Sequence, residues 1–434
     1  MMPLNQGQEI AAQAVFQFLM SNDKEFIISG PPGVGKTHMM GYIMDNILKK
    51  YENACTILGM EKTINSVYLT ATTNKAAEVL ESSTGHPTQT IHSFMNLKVV
   101  DDYKTGISRC KPTPSWIVHT GIVLFIDEAS MIDSDLHRHI ITGTDATCKI
   151  IYVGDHSQLA PVFEKISPVY LNTKHFVELL EPVRNADQPA LMALCNQLRD
   201  TVETLKFRPI RPVNGVIDYV SDTELQYILD NEFINEEIDA RILCFTNSRV
   251  KEYNDYIRGV RGHPDHPVKG EIVINNSAVN IGKIMLRVEQ RLRIVQIDDI
   301  TTPINIDKND PTAIMEVYHA QIVKENDKKS TTGMPIMIPA NPSHYKALTN
   351  YYANQKSWSM YYHLKNNYPD LRPKDAATVY KAQGSTYESV ILDLTNIGKC
   401  NQPDQVARML YVGVSRPRSR LLLYGDLPTR YHQS

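Results

Sequence analysis

The run Gly30-Pro31-Pro32-Gly33-Val34-Gly35-Lys36-Thr37 constrains this chain more than any other feature, because it matches the pattern G-x-x-x-x-G-K-[ST]. A glycine-rich turn of this kind aims successive backbone N–H groups, and the start of a helix, at phosphate oxygens. It has that effect only between a strand and a helix. The context is predicted here, since Glu25 to Ser29 reads as a short buried strand and residues 36–50 read as a helix. Lys36 is then expected to neutralise the β- and γ-phosphates of ATP, and Thr37 to ligate Mg²⁺, with Gly30 to Gly35 as the cradle.

A cradle of this type belongs to an α/β fold with a mainly parallel sheet. Further strand-like runs at Ser66 to Thr70, Gly121 to Asp127 and Lys149 to Val153 alternate with helical or loop material. The pattern then restarts at Arg241 to Phe245, with a helix near Ser248 to Arg258 and strands at Ser389 to Leu394 and Arg420 to Tyr424. Two α/β units follow from that restart. Between them, residues 265–372 change to short alternating runs such as Lys283 to Val288 and Gln290 to Val295, which predict a small β-rich insert.

The strand Val123 to Ile126 ends in Asp127-Glu128. Paired carboxylates at this point suit a hydrated metal held by Asp127 and a water activated by Glu128 as general base. The pair favours hydrolysis over transfer to a small acceptor, which remains as an alternative. Strand Lys149 to Val153 runs into Gly154-Asp155-His156-Ser157-Gln158, and a glutamine there can touch the γ-phosphate and report its loss. Taken alone, the same turn also reads as an ordinary polar loop.

Composition narrows the classes. The net charge of −3 and pI near 6.5 exclude a protein that coats nucleic acid through bulk positive charge, but leave room for a local basic channel. Cysteines 55, 110, 148, 195, 244 and 400 form no C-x-x-C pair and no metal spacing, so they are expected to be reduced and structural. No apolar run approaches the roughly 18 residues of a membrane span, and the N-terminal residues lack the pattern of a secretory signal. A cytoplasmic protein is expected, in the host cytoplasm if phage-encoded.

With these residues in order, the sequence resembles the B-type, RecD/Dda-like branch of the superfamily 1 DNA helicases over nearly its whole length. Gly154-Asp155-x-x-Gln158-Leu159-x-Pro161-Val162 looks like helicase motif III, a more specific signal than the cradle. Leu4-Asn5-Gln6-Gly7-Gln8 resembles the Q motif, which implies that Gln8 reads the adenine edge. Phe176 to Asn185 resembles motif IV, which makes Arg184 a γ-phosphate contact. Ala377 to Ser385 resembles motif V, with Thr378 and Lys381 toward DNA and Gln383 and Gly384 toward nucleotide. Tyr411 to Arg418 is similar to motif VI, with Arg416 as the arginine finger.

Two segments resemble the branch's DNA-contacting motifs Ia and Ib: Ala71 to Ala77, which offers Thr73 and Asn74, and Thr90 to Phe94, which offers Thr90 and His92. Phosphate contacts of this type hold a strand without reading its sequence. Thr72 departs from the branch, which usually has proline there. Without the resemblance, Thr73 reads as a helix cap and His92 as a packed histidine. Asn247 is the corresponding phosphate contact of the second unit, or a cap for the helix after it. Residues 95–116 contain a candidate hairpin whose counterpart in the resembling helicases splits the duplex, and Tyr103 is the wedge candidate near its tip.

The resemblance implies two RecA-like domains: residues 1–181 with the hairpin insert, and residues 182–264 with 373–434, interrupted by an SH3-like insert at 265–372. It implies an ATP- and Mg²⁺-dependent helicase that moves 5′ to 3′ on single-stranded DNA, opens duplex junctions and works as a monomer. Replication or recombination proteins, including single-stranded-DNA-binding proteins, are its expected partners. The rival is a DNA-dependent ATPase switch that remodels partners without processive unwinding. Trp358, Tyr361 and Tyr362 can stack on bases or, as aromatic residues do more often, form core.

Overall fold

The computed structural model describes residues 4–101, 108–161, 164–171, 174–181, 188–277, 279–281, 284–308, 310–325 and 333–431. Arg184 and Tyr103 lie outside these residues. The chain divides into two compact units, one formed by Met1–Lys98, Cys110–Tyr219 and Ala382–Ser434 and the other by Val99–Arg109 and Val220–Lys381.

The strands early in the chain are β1 (Glu25–Ser29), β2 (Ser66–Ala71), β3 (Thr88–Thr90), β4 (Leu97–Asp101), β5 (Ser108–Pro112), β6 (Ile122–Asp127), β7 (Lys149–Gly154) and β8 (Phe176–Glu178). Six of them form one sheet in the order β3-β2-β6-β7-β1-β8, and every neighbouring pair is parallel. β4 and β5 pair as a separate two-stranded ribbon, as the hairpin reading expects. Side chains alternate between the sheet faces, and both faces are buried. Phe26, Ile28, Val123, Phe125, Ile151 and Val153 enter the core that holds Val15 and Phe18 of the first helix. Ile27, Leu124, Ile126, Ile150 and Tyr152 enter the opposite core with Leu136 and Ile140. This two-faced burial explains why the strands read as unbroken apolar runs.

The first helix, Gln6–Met20, starts with a capping box in which the Asn5 side chain accepts from Gln8 N–H and the Gln8 side chain accepts from Asn5 N–H. The helix after the cradle does not stop near residue 50. Lys36–Tyr42 passes through a π-helical stretch, Ile43–Ile47, into Leu48–Leu58, and Gly59 ends it in the left-handed conformation. Late in the chain, Tyr387–Asp393 and Pro417–Tyr424 pair in parallel, and helix Pro403–Val414 packs on helix Pro189–Thr204. That packing, with bonds from Arg408 and Tyr411 to the turn after β7, ties the late segment Ala382–Ser434 into the first unit.

In the second unit, Ala240–Cys244 pairs in parallel with Ala376–Thr378, and Asn247–Val260 follows as a helix. The β-rich expectation holds for an antiparallel sheet in the order Thr302–Asn305, Ile314–Lys324, Gln290–Ile297, Ile272–Asn275 and Leu371–Pro373, with Met334–Pro339 also paired to Ile314–Lys324. It is incomplete, because helices Pro342–Asn354 and Trp358–Asn367 also occupy this segment. Tyr352 and Leu364 of these helices pack on Met315 and Val317. Tyr362 is buried and Tyr361 packs against the same core, in line with the core reading of these aromatics.

Candidate nucleotide site and nucleic-acid contacts

The cradle leaves β1 at its carboxyl end, where ligands bind in open α/β sheets. Gly33 and Gly35 have φ of 88° and 81°, a region that L side chains rarely adopt. Gly30 has no room for a side chain, because a Cβ there would lie 2.5 Å from the Leu179 carbonyl oxygen. Lys36 Nζ donates to the carbonyls of Gly30 and Pro31 at 2.6 and 2.9 Å. Burial pulls its pKa down, while Asp155, Glu128 and Asp127 push it back up. The Gln8 side-chain amide is buried and donates to the Val34 carbonyl at 3.2 Å, which ties the Q-motif residue to the cradle backbone.

Asp127 ends β6, two strands from β1 in the sheet, and the Glu128 N–H donates to its Oδ1 at 2.9 Å. Burial and the neighbouring Glu128 charge push the Asp127 carboxyl up to about 7, against that N–H bond and the Lys36 charge. A divalent cation would relieve this like-charge pair. Among the described residues no group of three or more His, Cys, Asp or Glu side chains could hold a metal ion. Mg²⁺ needs only one or two carboxylates beside phosphate and water, so the oxygen donors of Thr37 and Asp127 are of the right chemistry for it. Glu128 has φ 55° and ψ 43°, a left-handed backbone at the base candidate.

β7 lies between β1 and β6 and delivers the turn Asp155 to Gln158. Gln158 is buried with its Oε1 unpartnered among the described residues. Arg408 of helix Pro403–Val414 donates to the carbonyls of His156 and Gln158 at 2.7 and 2.5 Å. Tyr411 of the same helix donates to Asp155 Oδ2, and Arg199 pairs with Glu178 and lies 3.8 Å from Asp155. Sequence reasoning missed Arg199, Arg408 and Tyr411 as site residues. Tyr411 opens the segment that resembles motif VI, but a tyrosine there carries no sequence signal of the carboxylate it meets.

The late motifs are split between the units. Gln383 is buried and donates to Ser130 Oγ at 3.0 Å, and a Cβ on Gly384 would lie 3.7 Å from Glu128 Oε1. Both residues therefore stand beside the turn that holds the candidate base. Arg416 is buried and donates to the carbonyls of Val412 and Ser385 at 3.0 and 3.1 Å and to Ser415 Oγ.

Of the DNA-contact candidates, Thr73 caps helix Asn74–Thr84 by accepting from Ala76 N–H at 3.2 Å. Thr90 caps the short helix Ile91–Phe94 through Ser93 N–H at 3.2 Å. His92 is half-buried, and burial lowers its pKa. In the second unit the cap before Asn247–Val260 is Thr246, with Asn247 exposed as the first helical residue. Thr378 is buried at the end of its strand, and Lys381 bonds Asn276 and pairs with Glu289 at 3.3 Å.

The family described as AAA domain matches residues 3–209, and the UvrD-like helicase C-terminal domain matches residues 375–424. The chain is similar to the ATP-dependent DNA helicase dda of Enterobacteria phage T4, 22% identical over 96% of this chain and 98% of that one. It is also similar to the RecBCD enzyme subunit RecD of Buchnera aphidicola, 23% identical over 92% of this chain and 69% of the relative. A Pif1 helicase from Bacteroides, solved in complex with ADP-AlF3 and ssDNA, is similar in fold at a TM-score of 0.50 and 16% identity, covering 100% of this chain and 95% of that one.

Proposed function

We propose that this chain, which is similar to the Dda and RecD helicases along most of its length, is an ATP-dependent DNA helicase that moves 5′ to 3′ on single-stranded DNA and unwinds duplex. The observation that carries this reading is the meeting of Gln383 and Gly384 with Ser130 and Glu128. A small-molecule kinase has no need of a segment from late in the chain beside its base. A motor that couples hydrolysis to DNA does, since its late motifs must respond to the state of the phosphate.

In this reading the cradle and Lys36 bind the phosphates, Gln8 recognises the adenine, and Glu128 takes the proton of the attacking water. Thr37 and Asp127 hold Mg²⁺, which supplies positive charge at the phosphates when bound. Gln158, Arg184 and Arg416 contact the γ-phosphate and sense its loss. Thr73, Asn74, Thr90, His92, Asn247, Thr378 and Lys381 hold the DNA backbone, and the β4–β5 hairpin with Tyr103 is the strand-splitting pin. Residues 1–181, the pair 182–264 and 373–434, and the SH3-like insert 265–372 are the working domains of a monomer. The expected location is the cytoplasm, with replication or recombination proteins as partners. No helix among the described residues is long and apolar enough to cross a membrane.

The test is strand separation on duplexes bearing either a 5′ or a 3′ single-stranded tail, beside ATP turnover with and without DNA. Unwinding only from the 3′ tail reverses the polarity. DNA-stimulated turnover with no unwinding of either substrate favours the remodelling switch, and turnover that depends on a small acceptor favours a kinase.

A further inference from the structure

Three buried polar atoms near the end of β7 have no hydrogen-bond partner among the described residues: Ser157 Oγ, Gln158 Oε1 and the Tyr170 hydroxyl. Buried polar groups are nearly always bonded, so such a cluster marks a place where a ligand is expected. Gln158 belongs to the motif III reading, whereas Tyr170 belongs to no motif. It ends the short 3-10 turn Pro168–Tyr170, where Val169 packs into the core and Ser167 Oγ donates to the Ile132 carbonyl at 2.6 Å. The ring is therefore held from neighbouring positions in the turn.

The location of the hydroxyl is specific. A Cβ built on Gly154 would lie 2.6 Å from the Tyr170 oxygen and 3.0 Å from Ala129 N. The phenol thus occupies space that the absent side chain leaves free, between the carboxyl end of β7 and the turn that follows Asp127-Glu128. The same Gly154 accepts from Gly30 N–H at 3.0 Å, so it also braces the cradle. Burial first, then the charges of Asp155, Glu128 and Asp127, raise the phenol well above its ordinary pKa and keep it a protonated donor. A neutral donor at this place can face a phosphate where the surrounding carboxylates cannot.

We propose that Tyr170 is a catalytic residue of ATP hydrolysis, its hydroxyl donating a hydrogen bond to a γ-phosphoryl oxygen as charge redistributes there in the transition state. The inference rests on the ATPase reading above. In the step, the water oxygen bonds to the γ-phosphorus and the bond to the β,γ-bridging oxygen breaks, its electron pair leaving with ADP. The water proton passes to Glu128. Tyr170 keeps its proton throughout and contributes a preorganised dipole.

The experiment compares full-length wild type with Tyr170→Phe in single-stranded-DNA-stimulated ATP turnover. The variant is expected to lose about tenfold or more in kcat, with the ATP KM and DNA affinity within about twofold of wild type. Affinity for ADP with aluminium fluoride, which mimics the transferring group, falls by a factor similar to kcat while affinity for ADP alone holds. A merely structural phenol predicts no such split, and loss of its unpartnered hydroxyl leaves the melting temperature unchanged or higher. Wild-type kcat with unchanged aluminium fluoride affinity in Tyr170→Phe overturns the proposal, as does a parallel loss of ADP affinity. A wild type without DNA-stimulated turnover overturns the ATPase reading itself, and this inference with it.

Discussion

Tyr411 donates its phenolic hydrogen to the Asp155 carboxylate, joining residues 256 positions apart in the sequence. Both side chains are fully buried. The other carboxylate oxygen accepts from Ser157 N–H at 3.0 Å. Tyr411→Phe leaves that buried carboxylate one donor short, and the expected loss is about 1–3 kcal/mol of unfolding free energy. Urea titration checks it, and an unchanged midpoint would show that the bond contributes nothing.

Lys36→Ala removes the cation of the cradle without touching the DNA-contact candidates. The variant is expected to bind single-stranded DNA within about threefold of wild type while ATP turnover falls at least about a hundredfold, in line with the loss of one preorganised charge at a reacting phosphate. Filter binding and coupled phosphate release measure the two quantities. Retained turnover would remove Lys36 from the site.

Asp375 carries a pH prediction. Burial raises its pKa, but hydrogen bonds from Arg261 at 2.7 and 2.9 Å, with the Lys374 charge, outweigh that and hold it below 3.8. A depressed carboxyl pKa adds stability that is present above 3.8 and is lost as pH falls through the folded value. Asp375→Asn should therefore cost about 1–3 kcal/mol at pH 7, because it replaces charge-assisted bonds to Arg261 with neutral ones while Glu236 stays 3.5 Å from that guanidinium. The deficit relative to wild type should shrink as the pH falls below 3.8. Parallel urea midpoints across pH would test this, and a constant gap would contradict it.

Deleting residues 99–108 shortens the β4–β5 ribbon and removes its connection. Unwinding is expected to disappear while most DNA-stimulated ATPase remains. Joint loss of both activities would sink the pin reading.

The candidate site at the carboxyl edge of the first sheet is legible in the sequence because its signals are local. The cradle, Asp127-Glu128 and the Gln158 turn each announce a strand end within a few residues, and two-faced burial made β1, β6 and β7 read as apolar runs. Arg408, Tyr411 and Arg199 were not legible because their partners are set by helix packing between distant segments. Tyr170 was invisible for the same reason, since an isolated aromatic in a loop carries no pattern. The helix Pro342–Asn354 had a readable signal in Tyr345, Leu348 and Tyr352, spaced at three and four residues on the packed face. The alternating strands on either side of it masked that period. Lys381 shows a different limit: a lone lysine says nothing of the Glu289 carboxylate that the fold brings to it.

Glu128 occupies a left-handed backbone, with φ 55°, where glycine or asparagine is at ease and glutamate is not. Replacing it by glycine should relieve roughly 1 kcal/mol or more of local strain while removing the carboxylate proposed to accept the proton. Heat resistance and turnover therefore pull in opposite directions at one codon. A selection for thermal survival alone would drift away from glutamate there, and a more stable but inert protein would be its product.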